Sequence, residues 1–122
     1  MKILGLFLLI VSVCFSAIAP DSSGFHGSWR YEDNARVTVV SYMPDGKFSG
    51  SVKSKEGQPE WRFSGDWVRE GSVITYTYRW SSLHEGPISF VDRDQILEQT
   101  DKELVLKDLD DGIVYRCHRL GK

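Results

Sequence analysis

Between Phe25 and Arg119 apolar and polar side chains alternate with period two almost without interruption, and no stretch repeats at helical spacing. Alternation of this kind puts the apolar residues of successive strands on one face. It predicts strands over 25–31, 36–43, 47–54, 60–68, 72–80, 94–99, 102–107 and 113–119. The connections carry turn chemistry at Pro44-Asp45-Gly46, Glu56-Gly57, Glu70-Gly71 and Asp110-Asp111-Gly112. The expected fold is therefore all-β, an eight-stranded antiparallel up-and-down meander. With one apolar face and no edge protection, such a meander closes into a barrel. The segment from Ser81 to Arg93, with His84, Gly86 and Pro87, is the one long irregular connection. Segments of that kind carry function more often than tight hairpins do.

A second pattern is laid over the first. FHGSWR at Phe25–Arg30, FSGSV at Phe48–Val52 and FSGDWV at Phe63–Val68 each place a glycine two residues after an aromatic ring. A two-residue turn at Glu56-Gly57 pairs Val52 with Trp61, Gly50 with Phe63 and Phe48 with Gly65, so that each glycine meets a ring. The same register sets Lys53 opposite Glu60 and leaves Pro59 where its missing N–H does no harm. A turn at Glu70-Gly71 would pair Trp67 with Ile74, Gly65 with Tyr76, Phe63 with Tyr78 and Trp61 with Trp80. It would also oppose Arg62 and Arg79, a mildly unfavourable pair. Glycine beside each ring leaves the ring a place to lie and lets the strands coil tightly. The alternative use of such glycines is to clear space for a ligand.

The N-terminus reads as a cleavable secretory signal over 1–19: Lys2, an apolar run from Ile3 to Phe15, and Ala17-Ile18-Ala19. The run is shorter than the ~20 residues a spanning helix needs, so no stable membrane insertion is expected. Val13 before Cys14 argues against lipid attachment, which wants a very small residue there. The mature domain is expected to span 20–122 in the periplasm or outside the cell. Cleavage leaves Cys117 as its only thiol, read as a small buried apolar group, and no intrachain disulfide is possible. A net charge of −2, with both signs interspersed, offers no basic face for nucleic acid.

Gly27-Ser28-Trp29 on the first predicted strand resembles the Gly-x-Trp signature of lipocalins and their relatives. Arg119, on the same inward parity as Tyr115 and Cys117, matches the last-strand arginine of that superfamily. The resemblance implies that Arg119 packs over Trp29 and closes one end of the barrel, with Arg116 as the fallback; a guanidinium over an indole is a sound cation–π contact. The first half also resembles the avidin family through Gly27-Ser28-Trp29 and the hairpin Asp45–Gly50. Arg30, Tyr31, Glu32 and Asp33 stand where avidins carry ligand-binding polar residues, so the biotin site does not transfer. The closest fit is the group of small bacterial lipocalin-like barrels.

Chemistry-bearing sets are scarce. His26 and His118 read as solvated side chains, and Asp108, Asp110 and Asp111 as turn residues lacking the spacing of a calcium loop. No nucleophile elbow, phosphate loop or zinc motif is present, so neither an enzyme nor a metal or cofactor site is expected. Glu98, if it faces inward, is the carboxylate of most interest. Two function classes fit. One is an exported binding protein that holds a small apolar or amphipathic ligand in a cup lined by Trp29, Trp61, Phe63, Trp67, Tyr76, Tyr78 and Trp80. The other is a non-enzymatic protein-binding module, such as an envelope inhibitor or immunity-type protein, with a solid barrel and a protein partner held through the 81–93 loop. Size discriminates between them, because an eight-stranded barrel holds either its own side chains or one small ligand.

Overall fold

The computed structural model describes residues 25–121, so the expected signal segment and cleavage site lie outside the described residues. All eight strands are present: β1 (Gly27–Glu32), β2 (Arg36–Tyr42), β3 (Lys47–Ser54), β4 (Pro59–Glu70), β5 (Val73–Ser81), β6 (Phe90–Gln99), β7 (Glu103–Asp108) and β8 (Val114–Leu120). They form a closed antiparallel barrel in sequence order. The seam is made by β8 on β1, where Trp29 pairs with Arg119 and Arg30 with His118. Among the described residues no helix is long and apolar enough to cross a membrane.

The meander sorts the connections onto two ends. The β2–β3, β4–β5 and β6–β7 turns lie at the end that also holds Phe25 and the Arg119 side chain. The β1–β2, β3–β4, β5–β6 and β7–β8 connections surround the other. At the first end Phe25, just ahead of β1, is completely buried against Tyr42 and Trp67. The Trp29 indole donates to the Phe25 carbonyl at 3.0 Å, and the Arg119 guanidinium lies 4.3 Å from the Trp29 ring centre. Arg119 also donates to the carbonyls of Asp101 and His26, at 2.7 and 2.6 Å. This end is closed. Arg116, on the opposite parity of β8, points outward to Glu103 and Glu98.

The first hairpin has the expected inner register, with Phe48 opposite Gly65, Gly50 opposite Phe63 and Val52 opposite Trp61. Beyond Val52 a bulge puts Lys53 opposite Pro59 rather than Glu60. Glu60 pairs instead with Arg36 of β2 at 2.6 Å.

The second hairpin corrects the expectation. Its turn is Gly71-Ser72, with Gly71 at φ +62°, a left-handed conformation that glycine adopts without strain. Trp67 therefore faces Tyr76 and Arg69 faces Ile74, a shift of two residues that keeps every ring on its face. The same register runs on to Gly65 opposite Tyr78; a bulge between Ser64 and Gly65 then shifts it by one, placing Ser64 opposite Trp80 and Phe63 opposite Ser81. The feared Arg62–Arg79 opposition does not arise. Arg79 reaches Asp66 at 3.0 Å, and Asp66 also takes Lys47 at 2.8 Å. β6 begins at Phe90 rather than 94, which shortens the irregular connection to residues 82–89.

Candidate functional site

The inward rings form an unbroken stack from the closed end upward. Tyr42 contacts Tyr76 at 6.1 Å between ring centres, Phe48 contacts Tyr76 and Tyr78 at 5.5 and 5.2 Å, and Phe63 contacts Tyr78 and Trp61 at 5.4 and 4.6 Å. Aromatic rings at these separations are in van der Waals and edge contact and leave no room between them. The buried indoles are also committed internally, Trp29 to the Phe25 carbonyl and Trp67 to the Met43 carbonyl at 3.1 Å. Of the seven residues expected to line a ligand cup, Trp29, Phe63, Trp67 and Tyr76 are thus buried core. Trp61 and Tyr78 are partly buried above them. Trp80 does not face the interior at all: the bulge at Ser64 turns it outward, 42% exposed, beside Ser64, Arg62 and Ser49 in a shallow groove on the outer wall. Glu98 is outward as well, because a bulge between Ile96 and Glu98 reverses the parity of β6.

Open space lies at the other end of the barrel. A cavity of about 310 Å³ is walled by Tyr31, Thr38, Val52 and Trp61, with Leu83 of the 82–89 connection above and Asp33, Arg36 and Glu60 on the rim. Its volume sits at the low end of the roughly 300–1,000 Å³ usual for ligand pockets. Trp61 is held in place by its indole N–H donating to Ser81 Oγ at 2.7 Å. Leu83 is 70% exposed. An indole, a phenol and an exposed leucine around one cavity, with an ion pair at the edge, make a mouth suited to an amphipathic molecule.

Sharing Tyr42 and Tyr76 with the ring stack is a polar cluster that sequence parity did not single out. Asp94 is only 2% exposed. Its Oδ2 accepts hydrogen bonds from Tyr76 Oη at 2.9 Å and from Tyr115 Oη, and the Tyr76 hydroxyl also meets the Tyr42 hydroxyl at 3.0 Å. Its Oδ1 is buried with no partner among the described residues. Burial raises the Asp94 carboxyl, while the two phenols act in the opposite direction. Burial likewise raises Tyr42, Tyr76 and Tyr115, and it pushes the Cys117 thiol up to about 12, which favours the protonated thiol over the nucleophilic thiolate. The cue was available in principle, since Asp92, Asp94 and Ile96 share one face of β6. The expected strand began only at Asp94, which hid that alternation.

Asp92, Asp108 and Asp110 approach each other at the same end, with carboxylate oxygens within 4.8 Å of one another. Oxygens so spaced could hold a hard divalent cation. The turn role expected for Asp108 is also seen, its Oδ1 accepting from the N–H of Asp110 and Asp111 at 2.7 and 3.3 Å. Burial and then the Asp108 charge push Asp92 up to about 6. Its folded value lies above the unfolded one, so between roughly pH 4 and 6 the folded state keeps a proton that the unfolded chain has released. Stability from this group falls as pH rises through that window and stays lost above it. Asp92→Asn should therefore raise the melting temperature by about 4 °C near pH 7.5, after allowance for partial exposure, and by much less near pH 4. Equal shifts at both pH values in thermal melts would contradict this account.

No protein-family model and no curated protein matches the sequence. Solved structures do match the fold. A lipocalin-like protein from Bacteroides uniformis is similar with a TM-score of 0.56 at 15% identity, over 80% of this chain and 100% of that one. A lipocalin-like protein from Bacteroides thetaiotaomicron gives 0.54 at 22% identity, over 84% and 100%. An uncharacterized protein from Bacteroides eggerthii gives 0.55 at 19% identity, over 79% and 99%. The chain has the fold of a small lipocalin-like barrel.

Proposed function

We propose that this lipocalin-like barrel is an exported, non-enzymatic binding protein that holds a small apolar or amphipathic molecule at its open mouth. The observation that carries the reading is the cavity of about 310 Å³ beneath Leu83, walled by Trp61, Tyr31 and Val52, above an interior already filled by rings. A ligand there contacts Trp61 directly, whereas the deeper rings expected to line a cup act as its floor. The apolar signal run before Pro20 supports export.

The test is a titration of the mature domain with N-phenyl-1-naphthylamine, an apolar dye that brightens when it leaves water. Saturable binding is expected in the wild type. Trp61→Ala, which removes the largest wall of the cavity, should weaken it by about tenfold or more. Unchanged binding in Trp61→Ala would place the dye elsewhere and overturn the reading.

One observation favours the second class, a protein-binding module. Leu83, Phe90, Ile113 and Val114, on or beside two connections of the open end, are each more than half exposed. A wild-type domain that binds no dye would shift the assignment to a protein partner at this rim.

A further inference from the structure

We infer that the molecule held at the mouth carries an ammonium group, which Asp94 receives through its unpartnered oxygen. The inference rests on the mouth-binding reading and adds the chemistry of the ligand's head.

Asp94 is a buried carboxylate with only half of its acceptor capacity in use. Tyr76 and Tyr115 both donate to Oδ2, and Oδ1 meets no donor among the described residues. Buried acceptors are nearly always satisfied, and an orphan one at a known place calls for a specific donor. Among the described residues no lysine, arginine or histidine forms an ion pair with Asp94. The charged side chains that act most strongly on Asp94 are Asp108 and Asp111, and those on Asp92 are Asp108, Asp94 and Asp110. Asp94 and Asp108 face each other directly across β6 and β7. The carboxylates of Asp92, Asp108 and Asp110 add negative charge along the same wall. A site with an orphan carboxylate oxygen and only acids around it attracts a cation and repels an anion.

The approach is from the mouth. Tyr31, a wall of the mouth cavity, packs at 4.8 Å against Tyr115, whose hydroxyl holds Asp94. This pair of tyrosine rings separates the cavity from the carboxylate. Toward the closed end the path is blocked by Tyr42 and Tyr76, which hydrogen-bond to each other. A molecule with an apolar tail between Trp61, Val52 and Leu83 would set its head against the Tyr31–Tyr115 pair, and it reaches Asp94 by displacing that ring contact. An ammonium there donates to Oδ1 in a charge-assisted hydrogen bond.

The experiment compares octylamine, octanol and octanoate, three probes with the same tail, as competitors of N-phenyl-1-naphthylamine on the wild-type domain near neutral pH. Octylamine should bind about tenfold or more tighter than octanol, the factor expected of a hydrogen bond to a charged group, and octanoate should bind most weakly. In Asp94→Asn, where an amide N–H₂ replaces the orphan oxygen, the octylamine and octanol affinities should converge to within about threefold. The wild-type ranking can overturn the inference even if that variant folds poorly. Octanol binding as tightly as octylamine in the wild type would overturn the ammonium inference and leave the mouth reading standing. So would an amine advantage that survives in Asp94→Asn, or one removed by Asp92→Asn, which would assign it to the exposed acids. Failure of all three probes and of the dye would overturn both.

Discussion

Gly65→Ala should destabilise the domain by roughly 3 kcal/mol, lowering its melting temperature by about 12–24 °C. A Cβ at this position would lie 2.0 Å from the Thr77 carbonyl oxygen and 3.0 Å from the Phe48 ring. The first of these neighbours is backbone, held in the ladder between β4 and β5, so it cannot swing aside as a side-chain tip would. Relief would require the bulge at Ser64 and Gly65 to open, and that bulge sets the register of the mouth end of the hairpin. Gly50→Ala gives the comparison. Its Cβ would meet the Phe63 ring at 2.3 Å, a side chain that can rotate at the expense of its packing on Tyr78 and Trp61. The loss there should be about half as large. A Gly65→Ala domain melting within about 3 °C of the wild type in calorimetry would show that the two strands do not touch as described.

Arg119→Ala should lower stability by about 2 kcal/mol, or roughly 8–16 °C in melting temperature. The substitution removes the guanidinium from the Trp29 face and its hydrogen bonds to the carbonyls of Asp101 and His26. Those contacts join the β6–β7 turn, the chain before β1 and the last strand at one point, so their loss unties the seam. Arg119→Lys should fall between, because an ammonium keeps the charge but neither the planar stack nor the forked donors. Arg116→Ala should change stability by under about 1 kcal/mol, since its pairs with Glu103 and Glu98 are exposed. Equal melting temperatures for the Arg119→Ala and Arg116→Ala domains would remove the structural role of the Trp29–Arg119 contact.

The inner register of the first hairpin was legible because a turn at Glu56-Gly57 and the meeting of Gly50 and Gly65 with Phe63 and Phe48 point to the same pairing. The second hairpin lacked such a constraint. Its turn could be placed at Glu70-Gly71 or Gly71-Ser72 with the rings on the same face either way, and the two choices differ by two residues in every pair. The candidate site was legible in part. Trp61 lines the mouth as an aromatic wall, but Trp80 and Asp94 exchange the roles that simple alternation assigns them.

By itself the sequence determined the strand count, the all-β class, the inward set up to the first bulge and the residues able to close one end. These follow from period two and turn chemistry, which are properties of neighbouring residues. Only the tertiary structure decided which face Trp80 takes, how completely the rings fill the barrel, and that Asp94 is buried with one oxygen unpaired. Each of these depends on contacts between strands. A bulge inserts one extra residue in one strand, as Arg79 of β5 does between the partners of Gly65 and Ser64, and from that point the alternation of that strand reports the opposite face.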